Sequence, residues 1–167
     1  MADVVDTGHP TREPLSHRQL WWPAAVGSVL ALVGFAISGY LTFEHYTSST
    51  SLTCPASGGI VNCFKVTTSQ YSEIGGVPVA VLGLVFFAAT LALQSPWAWR
   101  RYSPTLRTGR LAWSVVGVGT AVWLIYAELF RLDAICLWCT AVHGIAILLF
   151  ASTAFATAMT VEDLDEE

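Results

Sequence analysis

Four cysteines in two pairs carry the reactive chemistry of this chain: Cys54 and Cys63, nine positions apart, and Cys136 and Cys139 in the run Cys136-Leu137-Trp138-Cys139. A CxxC at the start of a helix puts both sulfurs on one face of the first turn, which suits a reversible disulfide. Unpaired N–H groups and the positive helix end stabilise a thiolate there, favouring attack on a disulfide or an electron-poor ring. The same spacing serves zinc sites and, when histidine follows, covalent haem. Here Thr140 follows, which argues against haem. Zinc held by all four thiolates would account for both pairs, but Cys54 and Cys63 lie too far apart for a zinc knuckle. Buried cysteines acting as small hydrophobes beside a structural loop disulfide are the plain reading. Four cysteines allow three pairings, and the sequence does not choose among them.

The elements that must position these sulfurs are set by composition. At 54% hydrophobic and 12% charged over 167 residues, the chain is too apolar for an ordinary soluble domain. Its length accommodates about four spans of about 20 residues with short loops and no separate soluble domain. Residues 1–20, with Pro10, Pro14 and scattered charges, read as a disordered cytoplasmic arm. Trp21 to Phe43 is uncharged and long enough to cross the hydrocarbon, and it lacks the short core and small-residue cleavage site of a signal peptide, so it reads as an uncleaved anchor. The polar stretch 44–76 is a long loop holding Cys54, Cys63 and the only lysine, Lys65. A second span runs over 77–93 with Pro78 in its first turn, where proline costs a helix least. The connector 94–110 carries two prolines and Arg100, Arg101, Arg107 and Arg110. Spans three and four cover 111–129 and 136–159, and 160–167 is an acidic tail.

This pattern predicts an all-α integral membrane protein, a four-transmembrane-helix bundle. Arginines collect in the amino-terminal arm and the 94–110 connector, leaving Lys65 and Arg131 for the other side. The positive-inside bias therefore puts both termini in the cytoplasm, and both cysteine pairs meet at the outer, normally oxidising face. The net charge of -4 reflects the acidic tail and offers no basic surface for nucleic acid. No charged intramembrane pathway or internal repeat marks a transporter, and a purely structural four-span protein would tolerate Cys139→Ser.

The loop pair Cys54 and Cys63, then Ser69-Gln70-Tyr71, Gly76, Pro78 and Gly83, and finally the late CxxC resemble, in that order, the bacterial homologues of the vitamin K epoxide reductase family. The resemblance covers Trp21 to Phe150. DsbB-type proteins share the chemistry but carry their two pairs in the reverse order. The resemblance implies a thiol:quinone oxidoreductase of the bacterial plasma membrane, with its cysteines on the extracytoplasmic face. Cys54 would exchange with a partner's dithiol, Cys63 would relay to Cys136, and Cys139 would engage the quinone. Each step is thiolate attack on a disulfide or quinone. A two-electron, two-proton quinone, menaquinone or ubiquinone, matches a dithiol without metal or flavin. Some family members carry a fused thioredoxin-like domain, so the implied partner is a separate DsbA-like protein of thioredoxin fold on the outer side. The alternative product is reduced vitamin K, recycled from its epoxide or quinone by the same thiols.

Other candidates surround the cysteines. Ser69 matches a loop serine or threonine that the family places near the reactive centre, where it would hydrogen-bond a quinone oxygen or a thiolate; its plain reading is local backbone solvation. His143, one turn beyond Cys139, stands where vertebrate members carry a tyrosine against vitamin K, so it is a candidate quinone contact or a neutral histidine bonded to a neighbouring helix. Glu128, Arg131 and Asp133 at the end of span three read first as headgroup-level charges, and second as groups that tune the CxxC. Trp123, Tyr126 and Trp138 fit an interfacial aromatic belt as well as a quinone wall.

Overall fold

Backbone groups in hydrocarbon have no water to bond, so apolar runs of this length satisfy themselves as helices. The computed structural model describes residues 17–47, 54–55, 58–100 and 103–165. Most of the expected amino-terminal arm, up to residue 16, and the loop segments 48–53 and 56–57 lie outside the described residues. Four helices carry the apolar runs: α1 (His17–Thr47), α3 (Val79–Gln94), α5 (Pro104–Phe130) and α6 (Leu137–Asp165). Between α1 and α3 come the five-residue α2 (Cys63–Thr67), a 3-10 turn over Gln70–Ser72, and a hairpin of β1 (Glu73–Ile74) and β2 (Val77–Pro78); α4 (Pro96–Arg100) precedes α5.

Among the described residues, three helical stretches are long and apolar enough to cross a membrane: Trp21–Thr47, Pro104–Phe130 and Leu137–Ala158. The apolar α3 has 16 residues, a rise of about 24 Å, short of the hydrocarbon thickness of about 30 Å. The chain is thus a predominantly helical integral membrane protein.

Packing follows the logic of a lipid-facing bundle. α1 lies against both α3 and α6, and α5 lies against α6. Large apolar side chains such as Val29, Leu32, Val115, Val116, Val122, Leu148 and Phe155 point outward, while Ala24, Ala31, Ser38, Ala121 and Thr153 are buried between helices. Small residues let helix backbones approach when lipid already solvates the large ones. Large side chains driven into the centre include Phe87 and Leu149, each 1% exposed, and Phe87 is the larger. The Phe87 ring occupies the space a Cβ at Gly34 would need, and Phe86 fills the corresponding space at Gly117. Glycine is required at both positions for steric reasons.

Element ends differ from expectation for local reasons. Pro78 does not sit inside a helix: Ile74 pairs with Val77 and Glu73 with Pro78, and α3 starts one residue later. The hairpin turn is Gly75-Gly76 with φ of 61° and 80°, the doubly positive conformation that a tight turn between right-twisted strands demands. Proline, lacking an N–H, ends that ladder and hands the chain to the helix. In the connector, Pro96 and Pro104 open α4 and α5 instead of breaking them, because the first helical position has no intrahelical use for an N–H. α1 begins at His17 and α6 runs on to Asp165.

The end of the bundle away from the cysteines is tied by buried polar groups. The Gln94 amide donates to Thr153 Oγ1 at 2.9 Å and accepts from Trp99 Nε1 at 3.0 Å. Arg110 Nε donates to the Leu93 carbonyl at 2.8 Å, and its guanidinium lies 4.3 Å from the centre of the Trp99 ring. These contacts join α3, α4, α5 and α6.

Candidate active site

The long loop between α1 and α3 folds back onto the short turn between α5 and α6, and the backbone holds it there. Val61 and Ile135 form a parallel bridge. The Ile135 N–H donates to the Ile60 carbonyl at 2.8 Å, and the Asn62 N–H donates to the Ile135 carbonyl at 3.0 Å. Asn62 then caps α2, its side-chain oxygen accepting the Lys65 N–H at 2.9 Å, which satisfies an otherwise unpaired helix donor. The clamp thereby sets Cys63, the first residue of α2, beside Cys136, the residue after Ile135.

All four sulfurs share one apolar cluster. Cys63, Val66, Ala134 and Cys136 are its buried members, with Cys54, Leu132, Trp138 and Cys139 packed against them. Cys54 and Cys63 are joined in a disulfide, with Cα atoms 5.7 Å apart, and Cys136 and Cys139 are free thiols. Cys63 is 1% and Cys136 0% exposed, whereas Cys54 and Cys139 are partly buried.

The CxxC departs in one respect from its expected geometry. α6 starts at Leu137, so Cys136 stands at the capping position and not within the first turn. Its carbonyl accepts the Thr140 N–H at 2.8 Å and its Sγ accepts the Cys139 N–H at 3.4 Å. Sulfur here takes the place that a serine or aspartate oxygen fills at other helix starts. An N–H aimed at sulfur, at the positive end of a helix, favours the thiolate.

Of the three charges near the end of α5, Glu128 is buried within the bundle, 5% exposed, and its Oε2 accepts the Cys136 N–H at 3.3 Å. The sequence favoured the headgroup reading and put a contact with the CxxC second. The signal available was a carboxylate inside an apolar span, and only the turn's fold shows that it faces the thiols. Asp133 makes that turn with φ of 46°, a left-handed conformation that aspartate tolerates better than most residues. Arg131 is exposed, and its Nε donates to the Tyr71 hydroxyl at 2.9 Å. That hydrogen bond holds the Tyr71 phenol below its ordinary range and pushes Arg131 up. His45, near the end of α1, reaches Glu73 of β1 at 3.7 Å, so the loop is pinned from both sides.

Ser69 heads the 3-10 turn, its hydroxyl donating to the Val66 carbonyl at 2.8 Å and accepting the Tyr71 N–H at 3.3 Å. It shapes the backbone beside the cysteine cluster and keeps acceptor capacity only. His143 is 6% exposed, and among the described residues its Nδ1 has no hydrogen-bond partner. Trp138 packs on the cysteines and its ring meets Tyr40 of α1 at 5.4 Å. Trp123 and Tyr126, 53% and 46% exposed, face outward with Phe130, so they form no wall around the thiols. Among the described residues, no group of three His, Cys, Asp or Glu side chains is arranged to hold a metal ion.

Residues 25–154 match the family model described as Vitamin K epoxide reductase family. The chain belongs to that family. The matched segment contains all four cysteines, Ser69, Glu128 and His143. Vitamin K epoxide reductase family members are redox enzymes, which makes this protein a membrane oxidoreductase whose chemistry rests on thiols. The disulfide and the facing CxxC dithiol are the groups able to supply it.

Proposed function

We propose that this protein generates disulfides: it oxidises a DsbA-like partner of thioredoxin fold and passes the electrons through Cys54/Cys63 and Cys136/Cys139 to a membrane quinone. The observation that carries the reading is the order of exposure within one cluster, partly buried Cys54, buried Cys63, buried Cys136 and partly buried Cys139. A relay needs that order. Its two end sulfurs must meet outside molecules, and its two middle sulfurs must meet only each other, shielded from stray thiols. A protein dithiol cannot enter the bilayer and an apolar quinone does not readily leave it, so a loop disulfide docked on a helix-end dithiol bridges the two phases. Each transfer moves two electrons, the number a quinone accepts.

On this reading the quinone sits on the Cys139 side. His143 lies one turn below Cys139, and its unpartnered Nδ1 could bond a ring oxygen; Ser69 retains an acceptor but has already committed its donor. The acceptor is menaquinone or ubiquinone. We place four spans in the membrane, with α3 as the shortest, both termini cytoplasmic and the cysteines on the extracytoplasmic side of a bacterial plasma membrane, from the distribution of arginine.

The test is quinone reduction by the purified protein in detergent, with a reduced DsbA-like protein as donor. Wild type should turn over, Cys139→Ala should be inactive with every donor, and Cys54→Ala should be inactive with the protein donor but active with a small dithiol. Equal behaviour of all three would mean that the cysteines are structural.

A further inference from the structure

Glu128 is a buried ionisable group to which the relay assigns no task. It stands in the last turn of α5, 5% exposed, with Oε2 on the Cys136 N–H at 3.3 Å. That bond uses one of about four lone-pair sites on a carboxylate. Arg131, the nearest cation in sequence, is turned to the Tyr71 hydroxyl. Glu128 therefore sits under the reactive dithiol without an ion-pair partner among the described residues.

Such a carboxylate and a thiolate of Cys136 repel one another in an apolar cluster. One proton shared between them removes the conflict: the carboxylate is charged while both thiols are protonated, and neutral once Cys136 has lost its proton. We propose that Glu128 accepts the proton of the Cys136–Cys139 dithiol and positions Cys136 through its backbone, acting through the cysteine without touching the substrate. The proposal rests on the relay described above.

In the step concerned, two S–H bonds break and one S–S bond forms between Cys136 and Cys139. The dithiol is oxidised by two electrons, and the quinone takes those electrons with two protons to become hydroquinone. Glu128 receives the Cys136 proton as that sulfur becomes the nucleophile, then releases it to water, from which the hydroquinone is protonated. The other proton leaves Cys139.

The experiment uses the full chain in detergent, dithiothreitol as dithiol and a short-tailed quinone, with Glu128→Gln, Glu128→Asp and Glu128→Ala beside wild type. Glutamine keeps an acceptor for the Cys136 N–H but cannot take a proton. We expect kcat of Glu128→Gln to fall about 100-fold, the scale of general acid–base catalysis, at unchanged quinone KM and unchanged unfolding temperature. Glu128→Asp should retain more activity than Glu128→Gln, and added formate should restore part of kcat to Glu128→Ala. Wild-type kcat in Glu128→Gln overturns the proposal. So does a loss of kcat that tracks a fall in unfolding temperature and is not rescued by formate. A wild type that reduces no quinone would instead remove the relay on which the proposal stands.

Discussion

The backbone clamp between the loop and the α5–α6 turn makes a quantitative prediction about which two sulfurs can join. Val61 bridges Ile135 in parallel, so Asn62 stands beside Cys136 and Cys63 is one step further on. Parallel strands about 4.8 Å apart and an offset of one residue, about 3.3 Å, put the Cys63 and Cys136 Cα atoms about 6 Å apart. That is inside the range of about 4.4–6.8 Å that a disulfide spans without backbone movement. The double variant Cys54→Ala/Cys139→Ala leaves only these two thiols and should close a Cys63–Cys136 disulfide with a mild oxidant. In Cys54→Ala/Cys136→Ala, the remaining Cys139 lies three residues along the chain, about 4.5 Å further by helix rise, and closure should be slower. Adding Ile135→Pro removes the N–H that bonds the Ile60 carbonyl. A net hydrogen bond is worth about 0.5–1.5 kcal/mol, so the clamped population and the closure rate should drop about two- to thirteenfold. The assay is alkylation of remaining thiols followed by intact mass, read against time. Thiols that stay alkylatable in Cys54→Ala/Cys139→Ala, or a closure rate indifferent to Ile135→Pro, would refute the claim that this clamp docks the Cys63 loop on Cys136.

Three further outcomes follow from other contacts. Phe87→Ala empties the centre of the bundle and should cost about 3–5 kcal/mol, while Gly34→Ala overpacks the same contact and should cost about 1–3 kcal/mol; thermal unfolding in detergent reads both, and Phe87→Leu should recover part of the Gly34→Ala loss. His143→Phe removes the unpartnered nitrogen and should raise the quinone KM about tenfold, the equivalent of about 1.4 kcal/mol, without changing the rate at which a dithiol reduces the Cys54–Cys63 disulfide; an unchanged quinone KM would remove His143 from the quinone site. Arg131→Gln should move the Tyr71 phenol titration upward, because the guanidinium's hydrogen bond is the largest influence holding it down; ultraviolet titration against a Tyr71→Phe control reads the shift, and no movement would mean that the pair is not formed in solution.

The helical membrane class was legible because hydrocarbon imposes a one-dimensional rule: an apolar run of sufficient length must become a helix, whatever packs beside it. The cysteine order carried the family for a similar reason, since spacing along the chain is itself sequence information. Element ends were less legible. Pro78, Pro96 and Pro104 act by their exact place at a helix start, and a shift of one residue separates a breaker from an initiator.

The sequence by itself determined the solvent this protein lives in, the family to which it belongs and the four sulfurs available for redox chemistry. Only the tertiary structure decided which sulfurs are buried and which accessible, that Cys136 caps α6 through its sulfur, and that Glu128 turns under the thiols instead of outward. The burial of Cys63 against Cys136 depends on contacts between residues about seventy positions apart, such as Ile60 and Asn62 with Ile135, while the Cys136 cap and the Glu128 contact depend on how the α5–α6 turn folds. A periodicity or a motif describes neighbours along one chain segment, whereas a clamp across two segments exists only once the helices have packed and brought the loop and the turn to the same end of the bundle.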